Sequence, residues 1–169
     1  MEVFEAIYQR RSIRKYTDQP VSQGLIQELL GAAMMAPSAG NAQPWQFIVI
    51  TDRETLAKVK EFNPYAGMAA QAPLAILICG DLSLEKFPGF WVQDCAAAAQ
   101  NLLLAACARG LGTVWTGIYP MEDRIEHFHR HFNLPPGVIP MALVVIGWPA
   151  QKIKSEDRYK ADRVHRGKW

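Results

Sequence analysis

Residues 90 to 109 are rich in Ala and Leu on nearly every helical face. A surface helix carries a single apolar stripe. One that is apolar nearly all round is buried on most faces, or is covered in part by another subunit. Gly110 and Gly112 follow at once and stop the segment, since glycine accepts the left-handed backbone that ends a helix. The run does not span a membrane. Gln100 and Asn101 interrupt it, and no stretch of about 18 apolar residues remains.

The other segments read as alternating helices and strands. Val3, Phe4, Ile7 and Tyr8 recur at helical spacing and lead into Arg10. Pro20 opens a second helix with Leu25, Ile26, Leu29, Leu30 and Ala33 on one face, and Pro37 ends it. Gln46 to Ile50 reads as a buried strand. Thr51 and Glu54 fit a capping box for a helix through Phe62. Leu74 to Cys79 is an apolar run of strand length between Pro73 and Gly80. Thr113 to Trp115 is a short strand. Pro120 starts a helix with Ile125, Phe128 and Phe132 inward, closed by Pro135-Pro136-Gly137. Met141 to Ile146 is the third clear strand, between Pro140 and Gly147. Residues 148–169 form a polar arm without periodicity. There is no repeat and no internal linker, so residues 1–169 are expected to form one domain of mixed α and β layers.

Half of the 169 residues are apolar, which excludes disorder, and the net charge of +2 is too small to argue for nucleic acid. Basic residues gather at 10–15 and 152–168, and the acids mixed into the second group favour a local anion site. No signal-peptide pattern is present, so a cytoplasmic protein is expected. Cys79, Cys95 and Cys107 lack metal-ligand spacing. Cys95 and Cys107 on one helix lie about 18 Å apart, beyond disulfide reach. Three reduced structural thiols follow. His127 and His131 are one helical turn apart, but no further ligand lies at useful spacing, so no metal site is expected.

Two segments carry chemistry. Arg10-Arg11-Ser12-Ile13-Arg14 places three guanidiniums and a hydroxyl in five residues, and arginine forks hold phosphate bidentately. Pro37-Ser38-Ala39-Gly40-Asn41-Ala42-Gln43-Pro44-Trp45 is a turn-forming loop whose Ser, Asn and Gln read hydroxyls and ring carbonyls. Trp45 reads as a core anchor. Together they suit an anionic, hydrogen-bonding, planar ligand. Each also has an ordinary reading, as a solvated helix end and as a polar connector.

With Gly110-Leu111-Gly112-Thr113 and the tail Arg158-Tyr159-Lys160-Ala161-Asp162-Arg163-Val164-His165, these segments resemble the nitroreductase family of FMN enzymes, in a short form. The four pieces come in order along nearly the whole chain. The resemblance implies an α+β sandwich, a mixed and mainly antiparallel sheet flanked by helices. It also implies a homodimer whose C-terminal segment reaches across the partner. By position, Arg10, Ser12 and Arg158 would hold the FMN phosphate, with Arg11 beside them. Arg14 would sit near the pyrimidine edge. Pro37, Ser38, Ala39, Asn41 and Gln43 would reach the flavin, which in the family can be bound mainly by the other subunit. Thr116 and Gly117 would offer a backbone N–H to its N5 edge. The family often has an acid where Thr116 stands, which shifts that match by a residue or two.

The implied activity passes hydride from NAD(P)H through flavin N5 to an electron-poor small molecule, a nitroaromatic or a quinone, by a ping-pong scheme that needs no catalytic side chain. Rivals are flavin cleavage or dehalogenation on the same fold, a non-enzymatic FMN-binding redox protein, and an anion-binding module without flavin.

Overall fold

A computed structural model describes residues 1–169. The helices are α1 (Val3–Gln9), α2 (Gln23–Met34), α3 (Arg53–Phe62), α4 (Trp91–Ala108) and α5 (Glu122–His131). The strands are β1 (Trp45–Ile50), β2 (Leu74–Asp81), β3 (Gly112–Gly117) and β4 (Val138–Gly147). They form one sheet in the order β1-β2-β4-β3, with all three pairings antiparallel. A bridge between Ser12 and Thr113 adds a parallel contact. The expected sandwich is therefore present.

The period of two along the central strands sorts their side chains into two cores. Leu74, Ile76 and Ile78 of β2 join Ala142, Val144 and Ile146 of β4 under α2 and α4. Ala75, Leu77 and Cys79 join Leu143 and Val145 on the other face, with Leu56 and Val59 of α3 and Phe128 of α5. Both faces are covered, which is why β2 and β4 read as unbroken apolar runs. Trp45 is buried in the first core, as its anchor role requires. Helix α4 buries Cys95, Ala98, Ala99, Leu102 and Ala106, and its Val92, Ala96, Ala97, Leu104 and Ala105 stay partly open. At its end Gly110 takes φ +77°, its N–H donates to Cys107 O and that of Leu111 to Ala106 O, a Schellman closure.

Several boundaries differ from the sequence reading. Helix α2 begins after Ser22, whose Oγ accepts from the Leu25 N–H at 3.3 Å, rather than at Pro20. Helix α3 is capped by Asp52, which accepts from the Thr55 N–H at 2.7 Å, so the Thr51–Glu54 box does not form. Glu54 pairs instead with Lys58 one turn on. Strand β4 runs through Pro140, because the register of β2 shifts between Ile78 and Cys79, where a residue without an N–H is tolerated. Strand β3 is longer than Thr113–Trp115 and ends at Gly117.

The thiols yield a test. Burial pushes Cys79 and Cys95 up to about 12 from an ordinary 9.0. The folded state then keeps a proton that the unfolded state releases. Stability is full below pH 9 and falls as pH rises from there toward 12, by about 1.4 kcal/mol per pH unit for each thiol. Cys79→Ala/Cys95→Ala should flatten this limb in urea unfolding measured from pH 8 to 11. An equally steep limb in the variant would contradict the assignment.

Candidate functional site

The arginine segment leaves α1 at Arg10 and runs beside β3. The Ile13 N–H donates to Thr113 O at 2.8 Å. This approach depends on Gly112, where an added Cβ would lie 2.6 Å from Ile13 Cγ2. Of the two glycines after α4, one turns the chain and the other admits the arginine segment. Gly112→Ala should displace residues 10–14 and cost about 1–3 kcal/mol of stability. Unfolding curves and a crystal structure of the variant would check this, and an unmoved Ile13 would refute it.

Arg11 is tied down on both sides. Its Nη1 donates to Tyr8 O at 3.0 Å and to Arg10 O at 2.6 Å, and its Nη2 donates to Glu156 O in the tail at 3.2 Å. Arg10, Arg11 and Arg158 line one cleft of about 310 Å³, with Tyr8, Glu156, Asp157 and Tyr159 on its walls, so the cleft carries a net positive charge. The two basic clusters of the sequence therefore meet in space. Ser12, next in the chain to Arg11, is half-buried, and Arg14 is exposed.

Residues 38–43 fold back on themselves. The Ser38 Oγ accepts the Gln43 N–H at 2.9 Å, and the Gln43 Nε2 donates to Asn41 Oδ1 at 3.1 Å. Asn41 and Gln43 are exposed, with left-handed φ of 54° and 51°. The loop abuts the first turn of α4, where its Ala39 N–H donates to Asp94 Oδ1 at 2.9 Å.

Thr116 and Gly117 end β3. The Thr116 hydroxyl is buried and donates to Leu143 O at 2.9 Å, which leaves only its backbone for a ligand. Gly117 is exposed. Its carbonyl accepts from Arg124 Nη1 at 2.9 Å and more weakly from Asn63 Nδ2 at 3.4 Å. Arg124 also lies over the Tyr65 ring, 5.1 Å from its centroid. Asp94, Asn63 and Arg124 escaped the sequence reading. Asp94 had a visible signal, being the one charged residue within α4.

One chain does not bring all of these groups together. The loop touches Asp94 near the start of α4, whereas Cys107 near its end shares a cleft with Arg10 and Arg11. Thirteen helical residues separate the two, about 20 Å. The histidines have structural contacts: His131 packs on Phe62 and Phe132, and His127 Nδ1 lies 2.7 Å from Asp123 O. No helix is long and apolar enough to cross a membrane.

The sheet order, the glycine-admitted arginine segment and the polar loop on α4 define an α+β protein with a cationic cleft. The family model for the nitroreductase family matches residues 7–66 and 61–148. A protein of Methanothermobacter thermautotrophicus, provisionally named as an NADH dehydrogenase/NAD(P)H nitroreductase, is 53% identical over 100% of this chain and 88% of its own. The FMN reductase [NAD(P)H] of Bacillus subtilis is 29% identical over 97% of this chain and 72% of its own. The solved FMN-dependent nitroreductase of Clostridium difficile superposes with a TM-score of 0.91 at 26% identity, covering 98% of this chain and 99% of that one. The chain belongs to the nitroreductase family.

Proposed function

We propose that the chain is an FMN-dependent oxidoreductase that takes hydride from NAD(P)H and passes it to an electron-poor small molecule such as a nitroaromatic or a quinone. The observation that carries this reading is the meeting of Arg10, Arg11 and Arg158 at one cleft. Guanidinium forks of this kind suit a terminal phosphate. Ser12 adds a hydroxyl beside them, and the Asn41 and Gln43 amides suit ribityl hydroxyls and ring carbonyls. The names of the relatives support the same cofactor and donor. FMN held there would supply the two-electron hydride chemistry that links NAD(P)H to the second substrate.

This chain's residues bind and orient. Arg10, Ser12 and Arg158 hold the phosphate, and Arg11 braces the tail. Arg14 would set a positive charge near the pyrimidine edge of a bound flavin, where a cation would favour reduction. Gly117, without a side chain, leaves the ring edge open at the backbone. The loop Pro37–Gln43, with Ser38, Ala39 and Asn41, completes the site from the partner subunit of a homodimer, because its own chain holds it about 20 Å away along α4. A reducing cytoplasm fits the three free cysteines.

Mass analysis of the cofactor released on denaturation tests the reading, with FMN expected. FAD, or no flavin after reconstitution, would overturn it. Arg14→Ala should lower the two-electron midpoint potential of the FMN-loaded protein by about 30–60 mV, from a charge-assisted contact of about 1.5–3 kcal/mol. An unchanged potential would remove Arg14 from the ring edge.

A further inference from the structure

Asp94 has no part in the proposed hydride transfer, yet it is 5% exposed and is the only charge within α4. Its Oδ1 accepts the Ala39 N–H at 2.9 Å, and its Oδ2 is buried without a protein partner. A buried carboxylate satisfied on one oxygen is costly. A residue placed only for packing would not carry that cost on a helix whose other buried residues are apolar. The loop it holds is also strained. Gly40, Asn41 and Gln43 have φ of 59°, 54° and 51°. Glycine takes this region freely and Asn tolerates it, but Gln does so at a cost. Such backbones persist where their surroundings over-determine them.

The bonds from Gln43 to Ser38 and Asn41 lie inside the loop, so they set its shape and not its location. Besides the packing of Phe87 against Gly40, three hydrogen bonds tie it to the rest of the chain. The Asp81 N–H donates to Pro44 O at 2.7 Å at the far end, and Lys86 Nζ reaches Gly40 O at 2.6 Å from an exposed side chain. The third is Asp94, buried, charged and rooted in a helix. A carboxylate accepts a backbone N–H about twice as strongly as a neutral group does.

We propose that Asp94 is a positioning residue for cofactor binding: it docks the strained Ser38–Gln43 loop onto α4, so that the loop meets the flavin in the place and backbone conformation that binding needs. The inference rests on the FMN reading. Asp94 touches no flavin and acts through Ala39. Because the loop serves the site of the partner subunit, this contact sets where the loop projects from its own α4.

The test is FMN titration, by flavin fluorescence quenching, of the full-length protein carrying Asp94→Ala or Asp94→Asn, each alone and combined with Gln43→Ala. Unfolding midpoints of the apo forms are measured beside it. D94A should weaken FMN about 10- to 100-fold. D94N keeps an acceptor oxygen and should recover most of that loss, with an apo midpoint no lower than that of the wild type. Q43A alone should cost about 3- to 10-fold. If Asp94 acts through the loop, D94A/Q43A binds FMN within about twofold of D94A alone. Effects that multiply, or a D94A protein that binds FMN like the wild type, would overturn the inference. If D94A does not fold, Ala39→Pro decides. It removes the same bond from the loop side, and Ser38 already has the extended backbone (φ −144°, ψ 153°) that a following proline requires. Wild-type affinity in A39P would overturn the inference. A wild-type protein that binds no FMN would overturn the proposed function, and this inference with it, whereas tight wild-type binding unchanged in D94A or A39P defeats the inference alone.

Discussion

Hybrid dimers built from an Arg10→Ala subunit and an Asn41→Ala/Gln43→Ala subunit are expected to bind flavin at one site with wild-type affinity, although neither parent homodimer does. The loop and the arginine cleft sit at opposite ends of α4 in one chain. If each site takes the cleft from one subunit and the loop from the other, a hybrid contains one site with both halves intact and one with both broken. Loss of a phosphate-binding arginine costs about 1.5–3 kcal/mol, or roughly 10- to 150-fold in affinity. Loss of both loop amides is of similar size. The hybrid, isolated through two affinity tags, should therefore bind one flavin per dimer about 10-fold or more tighter than either parent. Hybrids no better than their parents would show that each chain builds its site alone.

Unfolding of the apo protein should become harder as the protein is concentrated. The isolated chain leaves Val3, Phe4, Ile7 and Tyr8 of α1 between 47% and 70% exposed, with Met35 at 81% and Tyr159 at 71%. A subunit interface would cover apolar side chains of this kind. In an obligate dimer, stability cannot be separated from protomer concentration. A hundredfold rise in protein should add about 2.7 kcal/mol of apparent stability per dimer, and FMN at a hundred times its dissociation constant should add about as much again for each of the two sites. Urea unfolding over that range, with sedimentation in parallel, is the measurement. A midpoint independent of concentration, together with a folded monomer that binds FMN tightly, would exclude the shared site.

The elements legible in the sequence are those whose environment is the same along their length. β2 and most of β4 are covered on both faces and read as continuous apolar runs. α2 presents Ile26, Leu29 and Ala33 to one core at helical spacing. α4 is apolar nearly all round because α2 and the sheet take much of it, while a partly open row remains. Its end was legible too, since only glycine takes the backbone at Gly110 without cost. Boundaries were less so. The box from Thr51 to Glu54 and the cap at Asp52 are both chemically sound, and one residue of helix phase separates them. Pro140 looks like a strand limit until the shifted register of β2 is known.

By itself the sequence determined the α+β class, the burial of α4, and the presence of residue types suited to a phosphate and a polar planar ligand. Those follow from local periodicity and side-chain chemistry. No local pattern brings Arg158 to Arg10 and Arg11, which only the family resemblance led one to expect and the tertiary structure supplies, and tertiary structure alone decided that Gly112 serves the approach of Ile13. It also turned the Thr116 hydroxyl into the sheet and gave Asp94 the Ala39 N–H to hold. Each of these depends on distances between segments remote in sequence. Such distances are set by how the helices pack on the sheet, and no local pattern records them.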